Sequence, residues 1–384
     1  MRSWPLVMAL FGCAPASGDG TATAPGAPLS DLSAAELETF AAGRTLFHRE
    51  FTPEQGLGPA FNDRRCSSCH DLPTIGGMGA DIVRKATRFE NGRCDLLREH
   101  GGELLQQEIT DTLRALGFQP ERVPPGATAV DMVAPPLFGA GLIEAIPEAA
   151  ITRRADPDDA DRDGISGRAG RDNAGRLGRF GRKANFATLD AFIANALLVE
   201  MGLTSPVHPE EETVAGQVVP ARADPAPDPE IQEDSLALLV AFVRLLAAPA
   251  AERAATAATR DSIRRGERYF DDLGCVHCHT PAFRTRSAVP ALHNRDIRLY
   301  SDLLLHDMGA GRASICAADA SPSEWRTPTL IGLRYRHVFL HDGRAQNVRS
   351  AIAAHGGEAE RSIAAFHRLS REQQELLLRF LRSL

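Results

Sequence analysis

A five-residue pattern that occurs twice, Cys66-Ser-Ser-Cys69-His70 and Cys275-Val-His-Cys278-His279, constrains this chain more than anything else in it. Cys-x-x-Cys-His is the attachment pattern for c-type haem. Two thiols add across the haem vinyl groups, and the histidine that follows is carried to the face where its imidazole meets the iron. A thioredoxin-like redox pair needs a βαβ setting, and none surrounds either segment. A four-cysteine zinc site would have to join pairs about two hundred residues apart and would leave both histidines unused. The pattern therefore predicts two covalently bound haems, attached outside the cytoplasm. Cys94 and Cys316 remain, one in each half. In an oxidising compartment they are either a disulfide or two buried free thiols.

At 384 residues the chain is too long for one small cytochrome and long enough for two or three compact units. Hydrophobic residues make up 43%, which allows a sizeable core, but aromatic residues only 6%, so a bulky prosthetic group is expected to fill part of it. Net charge is −7 with both signs interspersed, which excludes a nucleic-acid stripe. No run reaches the 18 or so apolar residues of a membrane span. The N-terminus reads as a signal segment, 1–12, ending at Leu10-Phe11-Gly12-Cys13, which resembles a bacterial lipoprotein box with Cys13 as the lipidated residue. Residues 13–30, rich in Ala, Pro, Gly, Ser and Thr, read as a flexible tether. The expected location is the periplasmic side of a bacterial membrane.

Each motif is introduced alike. Ser33-Ala-Ala-Glu36 is a capping box opening an amphipathic helix through Gly43 to Phe47, and Asp261 opens a second through Gly266 to Phe270 just before Cys275. The repeat argues for duplicated cytochrome c-like domains. Residues 217–231 read as loop and 235–247 as a buried helix, while 250–260 is the best boundary. Ser370-Arg-Glu-Gln373 caps a final helix with an apolar stripe ending at Leu384. The expected fold is mainly α with few short strands. An N-terminal haem domain with a long insertion spans 31–255, and a C-terminal haem domain spans 256–384.

Further blocks carry a family resemblance. They are Gly56-Leu-Gly-Pro-Ala-Phe-Asn62, Asp163-Gly-Ile-Ser-Gly-Arg168, Gly178-Arg-Phe-Gly181, Tyr300 to Gly309, Trp325-Arg-Thr-Pro328, and His341-Asp-Gly-Arg344 leading to His355-Gly-Gly-Glu358. In this order they resemble the bacterial di-haem oxidoreductases loosely called thiol oxidoreductases, relatives of the di-haem cytochrome c peroxidases. The resemblance implies a second axial ligand fourteen residues after His341, which is His355. The peroxidases have methionine there, and imidazole in its place lowers a haem potential. The alternative for His355 is a helix-capping histidine.

The resemblance also places Glu200, in Glu200-Met201-Gly202, over the first haem as the proton-transferring carboxylate; otherwise it is a solvated helix-end acid. Relatives block the first iron with a histidine where this chain has Ala86, so that face is either open or closed by Met78 or His100. Relatives also place a tryptophan between the haems where this chain has Arg182, and Phe180 is a poor electron bridge. Arg326, Arg344 and Arg336 are candidates for holding haem propionates.

Among smaller signals, Asp159, Asp161 and Asp163 precede Gly164 at calcium-loop spacing without the twelfth-position glutamate, so they are read as a partial calcium site or an acidic turn. His306 is read as buried beside a propionate, with Met308 the second choice of ligand. The leading function is a peroxidase-like oxidoreductase in which the His279/His355 haem relays or stores electrons and the His70 haem activates hydrogen peroxide with Glu200. Its partners would be a redox protein, as electron donor or acceptor, and peroxide or a small oxidisable substrate. The alternative is a non-catalytic electron-transfer cytochrome with both irons six-coordinate.

Overall fold

The computed structural model describes residues 23–384. The signal segment and Cys13 lie outside the described residues, among which no helix is long and apolar enough to cross a membrane. The main helices are α1 (Ala34–His48), α2 (Leu189–Met201), α3 (Glu233–Leu245), α4 (Ala257–Asp272) and α5 (Arg371–Leu381). Helix makes up 35% of the chain and strand 14%, so helices dominate while the strand content exceeds the few short pieces expected.

Local chemistry sets the helix ends. The Ser33 hydroxyl accepts the Glu36 N–H at 3.2 Å while the Glu36 carboxylate accepts the Ser33 N–H at 2.7 Å. Ser370 and Gln373 repeat the device at α5. Helix α4 begins before Asp261: Thr256 caps it by accepting the Thr259 N–H at 3.1 Å, so its first turn lies in the stretch read as a boundary. Within the stretch read as tether, Leu29 N–H donates to the Leu245 carbonyl at 2.8 Å and the Ala27 carbonyl accepts from Ala247 at 3.0 Å. That part of the chain is pinned to the exit of α3.

One arrangement occurs twice. α1 crosses α3 at Gly43, where any Cβ would strike the Leu238 carbonyl, and α4 crosses α5 at Gly266, where it would strike that of Leu376. Phe47 then sits 6.1 Å from the His70 ring at 55°, and Phe270 sits 6.1 Å from His279 at 54°. Both phenylalanines pack in turn on the closing helix, at Phe242 and Phe380. Leu239, Val240, Phe242 and Val243 on α3 thus correspond in spacing and burial to Leu377, Leu378, Phe380 and Leu381 on α5. The first helix–motif–helix unit is closed by a helix some 160 residues after its motif, and the stretch expected as an insertion lies between them.

The insertion carries the unexpected sheet. β1 (Ile82–Glu90) pairs antiparallel with β2 (Arg93–Asp95), β3 (Leu104–Leu105) and β4 (Thr128–Val133). Asn91 and Gly92, both at positive φ, make the β1–β2 turn. β4 ends at Val133 and delivers Ala134, Pro135 and Pro136 to the wall of the second site described below. Farther on, β5 (Leu305–Asp307) pairs with β6 (Glu324–Arg326), setting His306 opposite Trp325.

Cys94 on β2 is bonded to Cys316, with Cα atoms 5.8 Å apart and a sequence separation of 222. Closing so long a loop restricts the unfolded chain strongly. Cys94→Ser is expected to lower unfolding free energy by about 2–5 kcal/mol, read from denaturant unfolding of the haem-loaded protein. An unchanged midpoint would show that the crosslink carries no stability.

Candidate active site

The first motif forms a short helical turn, Cys66–Cys69, reached from α1 through a loop that carries a 3-10 turn at Pro53–Gln55 and the short strand Ala60–Phe61. The His70 Nδ1 lies 3.0 Å from the Gly77 carbonyl, which belongs to a loop closed by reciprocal bonds between Leu72 and Met78. Gly77 must lack a Cβ because the Leu72 carbonyl already fills that space. Burial pushes the Cys66 and Cys69 thiols up to about 12, so both stay protonated, and burial also lowers the His70 pKa.

Glu200, in the last turn of α2, comes to the same place. Its Oε2 accepts from Asn62 Nδ2 at 3.1 Å, and its charge is felt at both Cys66 and Cys69. Burial raises its pKa, against the opposing pull of the Lys85 charge and the Asn62 bond. Lys85 reaches this region from β1 and is paired with Glu103 at 2.9 Å. Its neighbour Ala86 is fully buried and offers the iron nothing. His100 is exposed, and the buried Met78 borders the second site.

The second site is a cavity of about 240 Å³ lined by Cys275, Cys278, His279 and His355 among others. A single water needs roughly 10–15 Å³ on the same measure, so the space suits a large group. His279 Nδ1 lies 2.9 Å from the Tyr300 carbonyl and His355 Nδ1 lies 2.8 Å from that of Ala351. In each case Nδ1–H donates to a carbonyl, which leaves the Nε2 lone pair free. Burial pulls His279 down to about 4 and lowers His355 as well, so both rings are neutral at neutral pH. Their centroids are 6.4 Å apart. Two metal–imidazole bonds of about 2 Å, plus about 1 Å from each nitrogen to its ring centre, sum to about 6 Å. The pair is spaced to hold one metal ion between them.

Arginines line this cavity, though not the set expected: Arg182, Arg312, Arg326 and Arg336. Arg326 and Arg336 line it, but Arg344 does not: its guanidinium is turned outward to the Asp342 carboxylate and is half exposed. Arg182 takes the vacant role, donating from Nη2 to the Val133 carbonyl at 2.9 Å. Spacing along the chain hid this, because Arg182 reaches the cavity only through the contact of its loop with β4.

His306 is buried, as expected, but its partners are protein carboxylates. Its Nε2 is 2.8 Å from Asp302 and its Nδ1 is 2.7 Å from Glu358. Burial works against charging it, yet the hydrogen bonds to Asp302, Cys278 and Glu358 prevail and raise its pKa far above the imidazole range. Glu358 also accepts from Ser166 Oγ at 2.8 Å and from the Asp307 N–H at 3.0 Å, so three separated sequence blocks meet at one histidine. Met308 lines the cavity wall, while the facing ring belongs to His355. Trp325, also lining the cavity, stacks on His341 at 3.8 Å with the Lys183 ammonium 3.7 Å from its ring centre.

The acidic repeat assembles differently from its spacing. Asp156, Asp159 and Asp161 converge, whereas Asp163 turns to His277 at 3.2 Å. Their oxygens accept backbone N–H groups of the same turn, from Ala160, Gly164 and Asp163, and a ligand oxygen from each of Asp156, Asp159 and Asp161 lies within 4.8 Å of the others.

Residues 128–384, two thirds of the chain and all of the second site except Met78, match the family described as "Di-haem oxidoreductase, putative peroxidase". The chain belongs to this di-haem oxidoreductase family. Membership implies two haem cofactors, and the second site fits one, with facing neutral imidazoles, adjacent cysteines, apolar walls and lining arginines. No curated protein matches this di-haem oxidoreductase. Solved structures similar to it include hydrazine synthase of Kuenenia stuttgartiensis pressurised with xenon, at 14% identity over 100% of both chains and a TM-score of 0.41. A MauG-like protein associated with microbial copper homeostasis shares 14% identity over 95% of this chain and 94% of its own, at a TM-score of 0.43. A variant of the diheme peroxidase BthA from Burkholderia thailandensis shares 14% over 90% and 85%, at 0.40.

Proposed function

We propose that this di-haem oxidoreductase is a c-type, peroxidase-like enzyme with two unequal haem sites. Cys66, Cys69 and His70 hold the first haem; Cys275, Cys278 and His279 hold the second, with His355 on its other face. The observation that carries this reading is the contrast between the sites. At the second, two neutral imidazoles stand with ring centres 6.4 Å apart and would together hold one iron. At the first, His70 is oriented in the same way by a carbonyl, and the buried carboxylate of Glu200 acts on the attaching Cys66 and Cys69.

A haem bound at the first site would supply the redox chemistry for reducing hydrogen peroxide. Glu200 supplies the proton transfers. Asn62 fixes its Oε2, which leaves Oε1 to take a proton from one peroxide oxygen and return it to the other as the O–O bond breaks. The second site, closed on both sides, suits storage or relay of electrons from a redox protein. The repeated helix–motif–helix units with matching Phe–His geometry support reading the chain as two cytochrome c-like haem domains. Covalent haem attachment outside the cytoplasm, together with the box ending at Cys13, supports a lipid-anchored protein on the periplasmic side of a bacterial membrane.

EPR of the oxidised protein before and after addition of hydrogen peroxide tests the reading. The expected result is one low-spin signal and one high-spin signal that peroxide abolishes. Two low-spin signals indifferent to peroxide would replace it with the electron-transfer reading.

A further inference from the structure

Three guanidiniums that line the second cavity, those of Arg182, Arg326 and Arg336, have carbonyl partners only. Arg182 donates to Val133 at 2.9 Å, Arg326 to Gly181 at 2.9 Å and Thr327 at 3.3 Å, and Arg336 to Thr329 at 2.5 Å and Ile331 at 3.3 Å. The Nε atoms of Arg182 and Arg336 are buried without any partner. Asp342, whose charge acts on Arg182, is already bound to Arg344. Each guanidinium carries five N–H donors and keeps its charge at any ordinary pH. The Asp302 carboxylate acts on Arg326 and Glu358 lines the same cavity, but both are paired to His306, so the buried guanidinium charge still calls for an anion in the shared space.

We infer that Arg182, Arg326 and Arg336 bind the two propionate carboxylates of the haem held by His279 and His355, and that the surplus positive charge raises the reduction potential of that haem. The inference rests on the reading that a haem occupies this cavity. Its stoichiometry gives it content, since these three fixed cations, with Arg312 a fourth on the same cavity wall, meet two carboxylates. Adding one electron to the ferric iron lowers the local positive charge, so a surplus cation nearby favours the reduced state. Imidazole in place of methionine acts in the opposite direction. The arginines thus offset the choice of His355 and keep the second haem able to take electrons from a donor.

Spectroelectrochemical titration of the haem-loaded protein, following the low-spin component, tests this. Arg182→Gln is expected to move that midpoint to more negative potential, while Arg182→Lys, which keeps the charge, should move it much less. Haem content is checked by the pyridine haemochrome. Should Arg182→Gln fail to mature, Arg336→Gln is titrated with the same expectation. Full haem content with an unmoved midpoint in the glutamine variant would overturn the inference. An unmodified protein that shows one haem, or no low-spin haem, would instead overturn the reading of the cavity.

Discussion

Replacing Glu200 by glutamine is expected to lower peroxide turnover by a factor of about 10²–10⁴ while leaving both haems in place. The change keeps the size of the side chain and one hydrogen bond to Asn62, so the pocket should not collapse. What it removes is the ability to hold and release a proton. The same residue predicts the pH profile. Burial raises the Glu200 pKa above the ordinary carboxylate value of 4.5. A base must be deprotonated to act, so activity should rise with pH through that elevated value, and the acidic limb should sit higher than an exposed glutamate would give. In Glu200→Gln that limb should vanish along with the activity. Turnover in the glutamine variant equal to that of the unmodified protein would place the proton transfer elsewhere. The folded protein also holds this carboxyl neutral more readily than the unfolded chain does. Its burial therefore costs stability increasingly as pH rises from the unfolded value through the folded one.

What could be read from the sequence was local. The two Cys-x-x-Cys-His runs, the Ser33 and Ser370 capping boxes and the glycine-to-phenylalanine approach to each motif are contained in short windows, and the structure builds each of them from its own residues. Features decided by tertiary contact were not legible. Helix α3 was readable as a buried helix, but its partnership with α1 becomes visible only when Leu238 and Phe242 are matched to Leu376 and Phe380. The β1–β2 hairpin did carry a local sign, Asn91-Gly92, but the charged residues of β1 mask its alternation. Arg344 resembled a cavity residue because it follows His341 closely, yet Asp342, two residues earlier, captures it. Arg182 reads as a lost aromatic in its own window and becomes a cavity cation only against β4. The pairing of Cys94 with Cys316 spans 222 residues and depends on the sheet, which local pattern did not foresee.

The second large effect is expected at His306, which touches neither facing imidazole and yet braces both. On one side it binds Asp302, whose backbone N–H donates to the Cys278 carbonyl at 2.8 Å, two residues from the Tyr300 carbonyl that orients His279. On the other it binds Glu358, three residues beyond His355 in the turn that follows it. His306→Phe would leave Asp302 and Glu358 facing each other in the interior without their shared cation. Breaking a buried ion pair in this way costs about 3–5 kcal/mol. The two ligand-bearing segments should then lose their common register, so the low-spin signal of the second haem should broaden or convert to high spin, while the first haem keeps its own signal. The stabilised forms set the pH window. Glu358 is held below its ordinary value, so its contribution is present above the unfolded carboxylate pKa of 4.5 and is lost as pH falls through the lower folded value. His306 is held above its ordinary value, so its contribution is complete below the unfolded imidazole pKa of 6.5 and is lost only as pH rises through the much higher folded value. Both charges therefore persist across the neutral range, and the low-spin signal should be constant there and fail only towards either extreme. A signal that titrated away near the ordinary histidine pKa, or a phenylalanine variant with unaltered spectrum and stability, would show that His306 packs beside the site without bracing it.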